Sequence, residues 1–110
     1  MDLLELKTVR IGDKEFPIKE TTRSKIEFET LSGISYFHYV TNFRSISTEN
    51  QFQYLYCIAK AGAKAKGEKF EYSFDEFIAF TDDHYSDTLT NFFEAITPKS
   101  GGEGKKQGKK

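Results

Sequence analysis

Residues 47–67 read STENQFQYLYCIAKAGAKAKG and contain the strongest structural signal in the chain. The polar start at Ser47 offers a helix cap, no proline interrupts the run, and Gly67 is a residue that commonly ends helices. The pattern therefore predicts a helix that opens at residues 47–51 and runs to about Lys66. This helix is the most informative feature of the sequence.

The predicted helix is apolar around most of its circumference. A wheel places its apolar side chains in two opposing sets: Phe52, Leu55, Tyr56, Ala59 and Ala63 on one side, and Tyr54, Ile58, Ala61 and Ala65 on the other. Only a narrow polar stripe of Gln53, Lys60 and Lys64 remains between them. Such a helix either lies at the centre of the core or offers one face to a partner, and the sequence leaves both interpretations open.

The segment closest to the N-terminus has the period of a β-hairpin. Val9 and Ile11 alternate with polar residues, a glycine-containing turn follows, and Phe16 and Ile18 resume the alternation. Pro17 has no N–H to donate, so we expect its strand to be paired on one side only.

Between the hairpin and the long helix, a second helix is predicted. Thr21 or Thr22 can cap it, and Gly33 suits the left-handed conformation that stops a helix. The connector at residues 34–43 is aromatic and carries little charge, and its period favours neither helix nor strand.

Two further helices are predicted after the long one. Ser73 and Glu76 have the spacing of a capping box, which predicts a short helix. Asp82 and Asp83 can cap a closing helix that ends near Ile96. The predicted fold class is therefore α+β: an N-terminal β-hairpin followed by a small bundle of about four helices.

The chain is 110 residues long with a formal net charge of −1, which is one domain of ordinary composition. We assign residues 1–98 to a single α+β domain and expect residues 99–110, which are rich in glycine and lysine, to be a disordered tail. The tail is either a basic arm or a solubilising segment. One cysteine and the absence of a basic start followed by an apolar stretch fit a protein of the cytoplasm.

Candidate catalytic and metal-binding groups are few. Cys57 has no histidine near it in sequence, so we interpret it as a buried, inert thiol. Asp82, Asp83 and His84 resemble metal ligands in type, but adjacent residues at a helix start point in different directions. His38 is interpreted as a structural residue. We therefore predict no enzyme activity, no cofactor and no metal.

A resemblance to a known family adds a functional expectation. Residues 9–19, VRIGDKEFPIK, are followed by IEFE at 26–29 and LSG at 31–33, and this run resembles the start of tail assembly chaperones of tailed bacteriophages and prophages. The long helix, with Leu55-Tyr56 and a glycine at 62, and the capped helix at 73–78 are similar to the later segments of that family. The resemblance covers nearly all of residues 7–97.

The resemblance implies a non-catalytic assembly factor in the bacterial host cytoplasm. Such a factor binds the tape-measure protein and keeps it soluble during tail assembly, with the tail-tube protein as a second potential partner and self-association left open. It needs an apolar face to exchange with a partner helix. The residues we expect on that face are Tyr36, Tyr39 and Phe43 of the connector, and Tyr54, Ile58 and Ala61 of the long helix.

Two alternatives remain. A structural tail-completion or connector subunit would form rings and stay in finished particles. A nucleic-acid-binding accessory protein would use the lysines of the long helix and the tail. The part of the chain before the tail is net acidic, and arginines are few, so nucleic acid is not expected as a partner. Membrane binding is not expected.

Overall fold

The computed structural model describes residues 6–97. The elements in chain order are β1 Lys7–Ile11, β2 Lys14–Ile18, α1 Thr22–Ser32, α2 Tyr36–Thr41, a short 3-10 helix Phe43–Ser45, α3 Thr48–Ala65, α4 Phe74–Thr81 and α5 Tyr85–Ile96. This is the predicted α+β class, a hairpin followed by a small helical bundle. The expected tail at residues 99–110 lies outside the described residues.

The hairpin forms as the alternation predicts. β1 and β2 pair antiparallel with Val9 opposite Phe16, and both side chains are buried against the helices. Thr8 lies opposite Pro17. Within the described chain the sheet has only these two strands, so Pro17 is paired on one side as expected.

The hairpin lies directly on the long helix. The backbone of β2 crosses α3 at Gly62, where a Cβ atom would lie 2.6 Å from the nitrogen of Ile18 and closer still to the carbonyl of Pro17. One residue further along, the Lys19 N–H donates a hydrogen bond of 3.0 Å to the carbonyl oxygen of Ile58. Only glycine lets the strand approach the helix this closely.

α1 begins and ends where the sequence predicts. Thr21 and Ser24 form a reciprocal capping box, and Gly33 adopts a left-handed conformation with φ of 80°. α1 packs along α3 and buries Phe28 completely. The connector that the period left open becomes the six-residue helix α2 and the 3-10 helix.

α3 is the central helix of the fold. α1, β2 and α4 pack against it and bury much of both of its apolar sides. Its buried side chains include members of both sets from the helical wheel, together with Cys57: Phe52, Leu55, Ala59 and Ala63 of one set, and Tyr54 and Ile58 of the other. The interpretation as a core helix is therefore the one that the structure shows.

The closing helix differs from the prediction at its start. α4 has the expected capping box of Ser73 and Glu76. The N-cap of α5 is His84, which makes no side-chain capping bond, so the prediction that Asp82 and Asp83 cap this helix is wrong. Asp82 instead keeps a helical conformation and forms the C-cap of α4. In the turn that follows, the His84 N–H donates a hydrogen bond to the Thr81 carbonyl, and His84 becomes the N-cap of α5.

α5 packs against β1, so the first and last elements of the described chain are neighbours. The Asn91 side-chain amide donates a hydrogen bond of 3.0 Å to the Arg10 carbonyl, and Lys7 Nζ donates one of 2.8 Å to the Ala95 carbonyl. Between residues 6 and 97, no helix combines the length and the hydropathy needed to cross a bilayer.

Candidate functional site

Two of the predicted partner-binding residues lie in the core. The side chains of Tyr54 and Ile58 are both 0% exposed, because α1 and β2 cover the side of α3 that carries them. The expectation that they form an outward apolar face is therefore corrected. In this structure neither side chain is accessible to a partner.

Tyr54 is the centre of an aromatic cluster. Its ring lies 4.7 Å from that of Tyr39 and 5.4 Å from that of Phe28, measured between ring centroids. Its hydroxyl donates a hydrogen bond to the carboxylate of Glu20. Burial, and then this hydrogen bond, raise the pKa of Tyr54 above its ordinary value, so the phenol stays neutral.

Tyr39 is also buried, at 2% exposure, which corrects its assignment to an exposed surface. Its hydroxyl donates a hydrogen bond of 2.9 Å to Gln51 Oε1, and Gln51 Nε2 donates one of 2.9 Å to the carbonyl of Phe43. Burial raises the pKa of Tyr39. The chain of two bonds fixes α2 and the 3-10 helix to the buried start of α3.

The other three predicted residues are partly exposed. The ring of Tyr36 lies beneath Lys25, whose Nζ is 4.8 Å from the ring centroid. Phe43 packs edge-on against Phe93 at 5.1 Å between ring centroids. Ala61 lies in the floor of a surface groove between α1 and the second half of α3. The structure therefore does not bring the six predicted residues together on one surface.

The connector exposes two apolar side chains that were not among the predicted partner-binding residues. Phe37 is 75% exposed and Val40 is 48% exposed, one helical turn apart on α2, and we call this pair the α2 surface. Tyr36, Tyr39 and Phe43 recur at the spacing of one helix face, which is the signal of a core-facing stripe. Once the connector is known to be helical, residues 37 and 40 fall beside this stripe, where both side chains are exposed.

α2 is held firmly enough to present this surface. Ser35 caps it by accepting a hydrogen bond of 2.9 Å from the His38 N–H, and Glu29 of α1 accepts one of 2.8 Å from the Tyr36 N–H. α1 exposes two further apolar side chains, Ile26 and Leu31, at 47% and 40%. The α1–α2 region therefore carries four of the five large apolar side chains that are exposed in residues 6–97.

Cys57 is buried, as predicted. Its side chain is 2% exposed, and burial, followed by the nearby charge of Glu27, raises the pKa of the thiol to about 12 despite the opposing effect of Lys60. A thiol of this kind is almost entirely protonated at neutral pH and makes a poor nucleophile.

The remaining polar candidates are separated from one another. Asp82 and Asp83 are exposed, whereas the ring of His84 is half-buried beneath Gly12. His38 is exposed on α2, with its Nδ1 atom 3.3 Å from the Asn42 amide nitrogen. Within residues 6–97, no group of three His, Cys, Asp or Glu side chains is arranged to hold a metal ion.

Comparison with protein-family models, curated proteins and solved structures gives no match to this chain.

Proposed function

We propose that the protein is a non-catalytic tail assembly chaperone, which binds the tape-measure protein of a tailed phage or prophage and keeps it soluble in the host cytoplasm. The resemblance of residues 9–33 supports the family. The observation that supports a binding role is the α2 surface, where Phe37 and Val40 expose apolar area on a helix that is anchored to the core. An apolar helix face of this kind fits a partner helix that contributes its own apolar stripe.

The size of the α2 surface favours weak, exchangeable binding. Phe37 and Val40 are already partly buried, so covering what remains exposed supplies about 2–4 kcal/mol before the costs of association. A single contact of that strength has a dissociation constant near or above the millimolar range. A long helical partner offers many such contacts, and several copies bound along it would protect it while each copy remains easy to displace.

The test is co-expression with the tape-measure protein, the very long helical protein expected to be encoded nearby. Phe37→Asp with Val40→Asp places two charges on the α2 surface, and we expect the partner to move from the soluble to the insoluble fraction. Both side chains are exposed, so the variant should keep the circular dichroism spectrum and melting temperature of the parent within a few degrees.

A matched control places the same two charges elsewhere. Ser86→Asp with Thr90→Asp alters two exposed positions one turn apart on α5 and should leave the partner soluble. If the α2 variant is folded and the partner remains as soluble as with the parent protein, the assigned surface is wrong.

A second measurement separates the chaperone from a structural subunit. A chaperone leaves before the tail is complete, so the protein should be absent from purified particles. Its presence there in fixed proportion to the tube protein would contradict the proposal and favour a tail-completion or connector subunit.

A further inference from the structure

The surface groove that contains Ala61 is lined by several basic side chains. It has a volume of about 650 Å³ and lies between the start of α1 and the second half of α3, and we call it the α1–α3 groove. Ala61, Ala65 and Phe70 provide its apolar lining. Small side chains at positions 61 and 65 leave room for another element to approach the α3 backbone closely.

The walls of this groove carry an excess of positive charge. Its cations are Lys19, Arg23, Lys60 and Lys64, and its carboxylates are Glu27 and Glu68. Glu68 is already engaged, since Lys66 Nζ lies 3.6 Å from its carboxylate. None of the four cations takes part in an ion pair within residues 6–97.

The opposite end of α3 carries the complementary charge. A cleft of about 370 Å³ there is lined by Glu49, Asp75 and Asp82 and by no basic residue of the described chain. Apolar side chains lie between these carboxylates: Phe52, Phe74, Ile78 and Tyr85. Tyr85 is 48% exposed, and we call this cleft with its rim the acidic edge.

We propose that the α1–α3 groove is a docking site for the acidic edge of a second copy of this chain. The carboxylates of the edge meet the unpaired cations of the groove, and the exposed ring of Tyr85 covers the alanine floor. Charge complementarity selects this occupant, because one chain presents both members of the pair. The inference does not depend on the proposed function.

The position of the two features determines the kind of assembly. They lie at opposite ends of an 18-residue helix, which is about 27 Å long at 1.5 Å per residue. One copy can therefore use its groove and its edge at the same time. The contact is head-to-tail, so it produces rings or open chains rather than a symmetric two-fold dimer.

Sedimentation velocity of the full chain tests the proposal. We expect the weight-average mass to increase with protein concentration into the millimolar range at low salt. We expect it to return to that of the monomer at about 1 M salt, where the Debye length falls to about 3 Å. A chain that stays monomeric throughout at low salt would overturn the proposal.

Charge-neutralising variants then identify the two surfaces. Lys60→Gln with Lys64→Gln removes charge from the groove, and Asp75→Asn with Asp82→Asn removes it from the edge. Each variant alone should be monomeric, whereas an equimolar mixture should form a species of two chains and no larger one, because each variant retains one intact surface. Failure of the mixture to associate contradicts the head-to-tail contact.

Matched controls change the same charge outside these surfaces. Lys14→Gln with Lys69→Gln serves for the groove, and Glu71→Gln with Glu94→Gln serves for the edge. Both controls should associate as the parent chain does. If they dissociate as fully as the test variants, net charge rather than this contact governs association, and the proposal fails.

Discussion

Gly62 of α3 and Pro17 of β2 touch backbone to backbone, with no side chain between the helix and the strand. The hydrogen bond from the Lys19 N–H to the Ile58 carbonyl lies beside this contact. The hairpin and the helix are therefore so close at this position that no room remains between them for a methyl group.

Gly62→Ala should therefore destabilise the protein. Alanine is the better helix former by about 1 kcal/mol, but its Cβ would overlap the Pro17 carbonyl and force the hairpin away from α3. We expect a net loss of at least about 2 kcal/mol in the free energy of unfolding, measured by urea denaturation. Gly67→Ala is the comparison, because that residue has φ of 72° and open space around it. Gly67→Ala should lower the free energy of unfolding by only about 1–2 kcal/mol. If Gly62→Ala lowered it by the same amount or less, the close contact at position 62 would be contradicted.

Alkaline pH should destabilise the fold through buried acidic groups. Burial raises the pKa of Cys57 from 9.0 to about 12, and it raises the pKa values of Tyr39 and Tyr54 as well. As the pH rises above about 9, the unfolded chain loses these protons while the folded chain retains them, so the stability they contribute below that pH is lost. Each group steepens the decline by up to about 1.4 kcal/mol per pH unit.

The contribution of Cys57 can be isolated. Cys57→Ala removes the group whose ordinary pKa is lowest of the three, so between about pH 9 and 10 its unfolding free energy should decline less steeply than that of the parent. The measurement is urea denaturation at several pH values. Parallel curves over this range would mean that the thiol ionises equally in both states.

Gln51 should control the order of α2. Gln51→Leu leaves the buried Tyr39 hydroxyl and the partly buried Phe43 carbonyl without their hydrogen bonds, at a cost of about 1–3 kcal/mol for the hydroxyl and less for the carbonyl. Amide hydrogen exchange in α2 should accelerate more than exchange in α4. Adding Tyr39→Phe removes the orphaned hydroxyl, so the double variant should recover part of the lost stability. A double variant that is less stable than Gln51→Leu would contradict this coupling.

Local signals explain which parts of the fold could be predicted from the sequence. The alternation around Val9 and Phe16, the capping box of Ser73 and the stop at Gly33 act within a few residues, so each predicted its element correctly. Asp82 and Asp83 do not cap α5 because both lie in the turn that ends α4. An N-cap is the non-helical residue directly before a helix, and here that residue is His84.

The candidate surface could not be predicted in the same way. α3 is apolar on opposite sides, and local sequence does not reveal that β2 and α1 cover the side of Tyr54 and Ile58. Gly62 was a signal of the covering strand, since a glycine inside a long helix often marks a close approach. The exposure of Phe37 and Val40 could not be predicted, because the period of the connector does not establish that it is helical.

The contact of β1 with α5 has a consequence for synthesis on the ribosome. Lys7 bonds to a carbonyl 88 positions later and Arg10 to an amide 81 positions later. The earliest strand thus emerges long before the helix that shelters it has been translated. The nascent hairpin must wait, with Val9 and Ile11 uncovered by α5, until that helix has been translated.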